Sequence, residues 1–377
     1  MASYKISPQN AFKRNFLEVL WVATARYILF RAINAFIVLF IVMLISSILF
    51  NAQMEQQKYA EIRETVAAMM RNPELVSGLN RTEIKQLEQQ LTNELIEQYG
   101  LNKPYWIRVF YRVKDIMLLD LGHTQNPGLS QTGSTKVSDI IMEALPRTII
   151  LFTTGQIIII LIGLFLGLKA AQKAGSLIDR IVGFASMISY SLPMWWLGMI
   201  MILIFSYKLH WFPSSSLSAL ARGDLSTPLG ALKAYATAIT LPLITLVIVG
   251  FGGWAYITRN IVLATLQEDF VMAARAKGIP ERKVIYGHVL RASSPPIVTM
   301  SIISLLNSLS GAMISEAVFT WPGMGRLYYI ALQQGDVPVL LGLTFVTTFL
   351  YVFSMVLVDL IYGLLDPRVR VGVSSST

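Results

Sequence analysis

Six long apolar stretches alternate with polar connections along the chain. A helix needs about 20 mostly apolar residues to cross a bilayer. The stretches that reach this length are Ala32–Phe50, Thr148–Leu168, Ile181–Tyr207, Ala234–Thr258, Ala292–Ser315 and Val337–Val358. The pattern therefore predicts an all-α polytopic membrane protein with six transmembrane helices. Pro193 lies inside the third stretch and is expected to kink it.

The one large hydrophilic block, residues 51–147, contains two amphipathic patterns. Apolar residues recur at helical spacing in two sets, which are Tyr59, Ile62, Val66 and Met69, and then Ile84, Leu87, Leu91 and Leu95. Asn72-Pro73 separates the two sets, and Asn80 with Glu83 has the spacing of a capping box. We predict an extracellular helical hairpin, which serves either as a contact surface for an external partner or as a packed lobe that caps the external mouth.

These patterns divide the chain into four parts. They are a cytoplasmic arm with the first helix (1–50), an external helical insertion and linker (51–147), a five-helix core (148–370) and a cytoplasmic tail (371–377).

Composition and charge support this division and orient it. Hydrophobic residues make up 54% of the chain and charged residues 14%, whereas soluble domains carry about 25% charged residues. Sixteen Lys and Arg fall in the two terminal segments and the loops 169–180 and 259–291, against four in the two short loops of the other side. The positive-inside rule then places both termini in the cytoplasm of a multi-pass cell-membrane protein. This topology accounts for the net charge of +9, so no nucleic-acid partner is required.

The sequence lacks the residues that several classes of enzyme and metal-binding protein need. There is no Cys, the three His are scattered, and no phosphate-binding GxxxxGK[ST] motif occurs. We therefore expect no catalytic residue, no metal site and no ATP site on this chain. The centres of the predicted spans lack Asp, Glu, Lys and His, which argues against an ion-coupled carrier. Any transport is expected to draw its energy from another chain.

The loop 259–291 has the most distinctive pattern. A short helix is predicted after Glu268, because acids favour a first turn and alanines favour helix. Lys277 and Gly278 end this helix, and Pro280 suits the start of a second one. From spacing alone, the loop is either a docking element with a small, alanine-lined tip or an ordinary amphipathic hairpin at the membrane surface.

The same loop resembles the EAA loop of ABC-importer permeases, through Met272-Ala273-Ala274 followed by Gly278. With the later segments Glu316–Arg326 and Asp359–Arg368, it is similar to the B-type permease of the dipeptide/oligopeptide (nickel) transporter family. Three positions depart from the usual motif, since Met272 replaces a Glu, and His288 and Arg291 replace an Ile and a Pro.

This resemblance implies a type I ABC-importer permease fold and a non-catalytic subunit that forms half of a translocation pathway. It implies a second homologous permease, two ATPase subunits that bind ATP and Mg, and an extracellular substrate-binding protein. The family transports di- and oligopeptides, and its relatives transport oligosaccharides or nickel chelates. The residues expected to couple the chain to the ATPases are Glu268, Ala273, Ala274, Arg275, Lys277, Gly278 and His288.

Small and polar residues recur along the fifth predicted span. They indicate either close helix packing or a polar wall of the pathway, and the larger Asn307 favours the wall. The residues assigned to the path are Ser304, Asn307, Ser308 and Gly311, together with Glu316. Glu316 lies just outside the span and is either part of an external gate or a solvated loop carboxylate. A stand-alone channel or secondary carrier is the alternative from another functional class.

Overall fold

The computed structural model describes residues 8–124 and 126–365. The predicted tail 371–377 and the motif residues Asp366–Arg368 lie outside this range. In chain order the helices are α1 (Pro8–Met70), α2 (Pro73–Val76), α3 (Arg81–Gln98), α4 (Tyr105–Met117), α5 (Val137–Gln172), α6 (Leu177–Ser191), α7 (Met194–Met201), α8 (Ser216–Arg222), α9 (Pro228–Leu266), α10 (Asp269–Ala276), α11 (Glu281–Lys283), α12 (Leu290–Asn307), α13 (Met313–Val318), α14 (Met324–Gln334) and α15 (Val337–Leu365). Within the described residues, the only strand-like pairing outside helices is a bridge between His123 and Lys136.

Five of the described helical segments are long and apolar enough to cross a membrane. They are Leu29–Met70, Val137–Gln172, Pro228–Leu266, Glu281–Ser310 and Val337–Asp359. A sixth span is present if α6 and the helix Met194–Lys208 count as one, although the two are bent by 96°. The expected kink at Pro193 is thus a full break, because Leu192 and Pro193 both have extended backbone angles. A residue before proline disfavours the helical region.

The first helix does not end where the hydropathy falls. α1 continues without interruption to Met70, so the expected boundary at residue 50 is wrong. No Gly or Pro lies between Asn51 and Met70 to stop it. α3 then packs against this outer part of α1 through an apolar cluster that contains Ile62, Val66, Leu91 and Leu95. The Asn80 and Glu83 side chains form the capping box at the start of α3.

The ends of the bundle are defined by helix directions. α1 and α15 are antiparallel, because Arg31 Nε lies 2.9 Å from Asp359 Oδ2 at one end, while Gln57 donates to the Gly335 carbonyl at the other. We call the end with Gly335, α2 and α3 the hairpin end. The opposite end, with α10 and α11, is the loop end.

The centre of the bundle is the close contact of α5 with α9. These helices are parallel, because Gly163 faces Trp254 and Gly167 faces Thr258 one turn further along. A Cβ on Gly163 would lie 2.3 Å from the Trp254 Cβ, so only glycine permits this approach. Small residues allow membrane helices to gain packing contacts in this way. Both helices therefore reach the loop end together and support the loop that follows α9.

The fifth span ends earlier than predicted. α12 ends at Asn307, a 3₁₀ turn covers Ser308–Ser310, and Gly311 has a φ of +70°. Such an angle is readily adopted only by glycine. Gly311 therefore does not share a helix with Ser304, contrary to the periodicity that grouped the two residues.

Candidate functional site

The loop after α9 has the helix–turn–helix form that its sequence predicts. α10 ends at Ala276, and Gly278 follows with a φ of +72°. The amides of Gly278 and Ile279 donate to the carbonyls of Arg275 and Ala274 at 2.9 and 3.3 Å, which closes the helix end. Space around Gly278 is open, since an added Cβ would meet no atom within 4 Å. The backbone angle, and not crowding, is what requires glycine here.

An ion pair across this turn was not predicted. Arg275 Nη2 lies 2.7 Å and Nε 3.1 Å from the two carboxylate oxygens of Glu281. The paired geometry joins the end of α10 to α11 and so restricts the angle of the turn. Both side chains are about half exposed, so their role is geometric more than stabilising. The sequence does not predict this ion pair, because residues six positions apart do not meet on one helix. The turn at Gly278 brings the two side chains together.

One face of the loop packs against the bundle. Val271 and Ala274 of α10 join Val284 and Val289 in an apolar cluster that also contains residues of α5 and α9. Ala274 is only 7% exposed. The expectation that it lines a free docking surface is therefore wrong, because its methyl group is already covered by this chain.

The opposite face of the loop is open. Phe270 and Met272 are 43% and 56% exposed. Six of the seven predicted coupling residues are also exposed, namely Glu268, Ala273, Arg275, Lys277, Gly278 and His288. The loop thus exposes two large apolar side chains beside a small alanine and several polar groups. Its buried face is held against α5 and α9.

A partly buried ion pair supports the loop from the neighbouring helices. Asp179, at the start of α6, accepts from Arg259 Nη2 at 2.8 Å and from the Gly175 amide at 2.9 Å. Arg259 lies near the end of α9, which leads directly into the loop. The sequence gives no sign of this pair, because 80 positions separate the two residues. Both entered the prediction of topology only as loop charges. The Ser293 hydroxyl of α12 also donates to the Thr265 hydroxyl of α9 at 2.9 Å, because Thr265 donates its own proton to the Ile261 carbonyl.

The predicted path residues occupy different environments. Asn307 is exposed, whereas the Ser308 hydroxyl bonds the Leu305 carbonyl at 2.7 Å and the Thr153 hydroxyl at 3.0 Å. Ser308 therefore joins α12 to α5, which fits the packing alternative. Ser304 and Gly311 are partly buried.

Glu316 is neither a solvated loop carboxylate nor an open wall residue, because it is only 1% exposed. Its carboxylate accepts from the Thr148 hydroxyl at 3.0 Å and from the Arg326 amide at 3.2 Å. Burial raises the pKa of the carboxyl to about 7, although these hydrogen bonds oppose the shift. A Cβ on Gly323 would lie 2.3 Å from Glu316 Oε2, so glycine is required at this contact.

Trp321 completes the same cluster at the hairpin end. Its indole nitrogen donates to the Arg147 carbonyl at 3.1 Å, and its amide donates to the Glu316 carbonyl at 2.8 Å. The Thr148 hydroxyl also accepts from the Met324 amide at 2.8 Å. The segment from Gly311 to Met324 is thereby fixed to α5. The sequence marked this segment through its Trp-Pro-Gly run but gave no sign of Thr148 as the partner.

Comparison with known proteins places this architecture in a family. Residues 159–371 match the family described as "Binding-protein-dependent transport system inner membrane component". The chain is 30% identical over 277 residues to the oligopeptide transport system permease protein AppB of Bacillus subtilis (strain 168), covering 74% of this chain and 84% of that protein. It is 31% identical over 292 residues to the dipeptide transport system permease protein DppB of Escherichia coli (strain K12), with coverage of 74% and 84%. The di/tripeptide transport system permease protein DppB of Pseudomonas aeruginosa (strain UCBPP-PA14) is 31% identical over 299 residues, with coverage of 76% and 87%.

Proposed function

Because the chain belongs to the family of inner membrane components of binding-protein-dependent transport systems, we propose that it is the permease subunit of an ATP-driven importer of di- and oligopeptides. The substrate class rests on the similarity to permease proteins of oligopeptide, dipeptide and di/tripeptide transport systems. In this proposal the chain performs no chemistry. Two separate ATPase subunits hydrolyse ATP with Mg, and a second homologous permease forms the other half of the pathway.

The observation that carries this proposal is the geometry of the loop around Gly278. A segment that transmits force must be stiff, exposed and anchored to the moving helices. The Arg275–Glu281 pair restricts the turn, Phe270 and Met272 protrude, and the apolar cluster around Ala274 joins the loop to α5 and α9. A soluble ATPase subunit that receives this tip in a cleft would shift both helices when the cleft moves.

The remaining parts of the proposal follow from the position of the loop. The loop end faces the cytoplasm, where ATP is available, so the hairpin end faces outward and receives the extracellular substrate-binding protein. The Glu316 cluster holds the segment after α12 against α5 at this outer end. Ser304 and Asn307 line the pathway from the α12 side, with Gly311 at its outer limit.

Two matched substitutions test the proposed ATPase contact. Met272→Asp introduces a charge at the protruding loop tip, and it should abolish co-purification of the ATPase subunits from membranes that co-express all components. Leu75→Asp introduces the same charge at an apolar residue of α2 that is 45% exposed at the hairpin end, and co-purification should persist. Retention of the ATPases by Met272→Asp, with normal membrane insertion, would remove the loop from the contact.

The substrate class needs a separate measurement. Complete transporter in proteoliposomes, supplied with the binding protein and a di- or oligopeptide, should hydrolyse ATP faster than without peptide. Stimulation by an oligosaccharide and not by peptides would contradict the proposed cargo while leaving the permease assignment intact.

A further inference from the structure

The helix α4 at the hairpin end carries a large apolar surface that no described residue covers. Val109, Val113 and Ile116 are buried, and the last two pack against α1 and α15. On the other side, Trp106, Phe110 and Leu118 are 67%, 57% and 68% exposed. Leu119, just after the helix, is 67% exposed as well.

The depth of α4 follows from its pairing with α1. Arg108 Nη2 lies 3.0 Å from Glu55 Oε1, and Arg112 Nη1 donates to Asn51 Oδ1 at 3.1 Å. Residues four positions apart on α4 thus meet residues four positions apart on α1, in the opposite direction. The two helices are antiparallel and keep this register, so Leu118 lies at the same height as Ile45.

This level is inside the hydrocarbon region. Ile45 belongs to the charge-free part of the first span and is 52% exposed, as are Ile41 and Leu49 to a similar degree. At about 1.5 Å per residue, Ile45 lies about 9 Å below Asn51 along α1. The exposed face of α4 is therefore continuous with the lipid-facing surface of α1.

The end of α4 gives independent support. The amides of Leu119 and Asp120 donate to the carbonyls of Ile116 and Asp115, both at 2.9 Å, which is the hydrogen-bond pattern of a Schellman motif. Leu119 occupies the left-handed position of this motif with a φ of +67°, where glycine is usual. A strained, exposed leucine at this position has no contact within the described chain that explains it.

From these observations we propose that α4 is a non-spanning wedge that inserts the Leu118–Leu119 tip into the membrane leaflet at the hairpin end. In the orientation proposed above, this is the outer leaflet. Trp106 lies about 9 Å above Asn51 by the same pairing and occupies the headgroup level, which tryptophan favours.

The charged residues of α4 are compatible with this depth. Arg108 and Arg112 point toward α1, as their contacts with Glu55 and Asn51 show. Lys114 lies level with Leu49, and its ammonium is 6.0 Å from the centre of the Tyr111 ring. A lysine stem is long enough to carry its charge to the headgroups from there. Asp115 and Asp120 instead line an open cavity of about 880 Å³ between α4, α1 and α15, where both carboxylates face away from the lipid side of α4.

Spin labels on single cysteines test this depth directly, because the chain contains no native Cys. Full-length protein in proteoliposomes would carry a label at Leu118→Cys, with Ile45→Cys as the lipid reference and Asp115→Cys as the water reference. The Leu118 label should collide with oxygen in preference to a water-soluble nickel chelate, as at Ile45. A preference for the nickel chelate, as at Asp115, would overturn the proposal. Low accessibility of the Leu118 label to both oxygen and the nickel chelate would also overturn the proposal, since a protein partner would then cover the tip.

A second variant separates lipid anchoring from a local structural role. Leu119→Gly relieves the strain of the left-handed backbone. If Leu119 only closes the end of α4, this substitution should leave the depth of the Leu118 label unchanged. If the leucine anchors the tip, Leu119→Gly should shift the Leu118 label toward the nickel-accessible values of Asp115, whereas Leu119→Met should preserve the lipid values. An unchanged label depth in Leu119→Gly would show that Leu119 does not hold the tip in the leaflet.

Discussion

Gly278 and Ala274 lie four residues apart in the same loop but limit substitution for different reasons. Gly278 has open space around it and a left-handed backbone, so a new side chain there meets conformational strain alone. Ala274 has an ordinary helical backbone and almost no exposed surface, so a larger or charged side chain meets its neighbours. The alanine-rich sequence predicted the helix and the turn correctly, but it could not predict which alanine faces inward. That choice depends on packing against Ala171 of α5, which is far away in the chain.

The first prediction uses this strain at Gly278. Gly278→Val should insert normally yet lose most substrate-stimulated ATP hydrolysis, because a β-branched residue in the left-handed region costs about 1–2 kcal/mol and changes the exit angle of α11. Gly278→Asn should keep most of the stimulation, since asparagine tolerates this region. The measurement is ATP turnover by the complete transporter with and without peptide. Wild-type stimulation in Gly278→Val would make the loop an ordinary interfacial hairpin.

The second prediction concerns the pH dependence of the Glu316 cluster. Because burial raises the pKa of this carboxyl to about 7, the folded state binds its proton more tightly than the unfolded state does. The resulting stabilisation is present at low pH and is lost as the pH rises through about 7. Thermal denaturation of the detergent-solubilised protein should therefore show a lower Tm at about pH 8 than at about pH 6.

Glu316→Gln is the matched control for this titration, since its neutral side chain is similar in size. Its Tm should change less between the two pH values than that of the wild type. An equal change in both proteins would assign the pH dependence to other groups.

At the scale of elements, proline shows why local signals predict only part of the fold. Pro193 ends a helix and allows a 96° bend, while Pro146, Pro242, Pro295 and Pro296 lie inside continuous helices. The residue type is the same, but packing against neighbouring helices decides whether the lost hydrogen bond breaks the element. The hydropathy pattern therefore located the spans well, yet it placed the end of α1 about 20 residues early and extended α12 too far.

The third prediction concerns the Asp179–Arg259 pair, which joins α6 to α9. Arg259→Ala leaves the Asp179 carboxylate without its main cationic partner, and it should destabilise the protein by about 1–3 kcal/mol. The double variant Asp179→Asn with Arg259→Ala should recover part of this loss, because no uncompensated charge remains buried. Urea- or heat-induced unfolding in detergent would measure both effects. A double variant as unstable as Arg259→Ala would show that the loss comes from packing of the arginine stem.

At the scale of the whole molecule, the two ends of the bundle are built for different tasks. The loop end joins α5 and α9 to one exposed tip through the cluster around Val262 and Val271. The hairpin end holds the segment after α12 rigidly through Glu316 and Trp321. A bundle that is stiff at both ends can transmit a displacement from one to the other, because close helix contacts such as Gly163 against Trp254 leave little room to deform.

The fourth prediction tests the orientation of these two ends. The excess of Lys and Arg at the loop end predicts that it faces the cytoplasm. In right-side-out vesicles, a membrane-impermeant maleimide should label Ser77→Cys between α2 and α3, and should label Ala273→Cys only after permeabilisation. Both positions are exposed, so the difference reports sidedness and not burial. Labelling of Ala273→Cys in sealed vesicles would invert the bundle, and would place the exposed tip of the loop where no ATPase subunit could reach it.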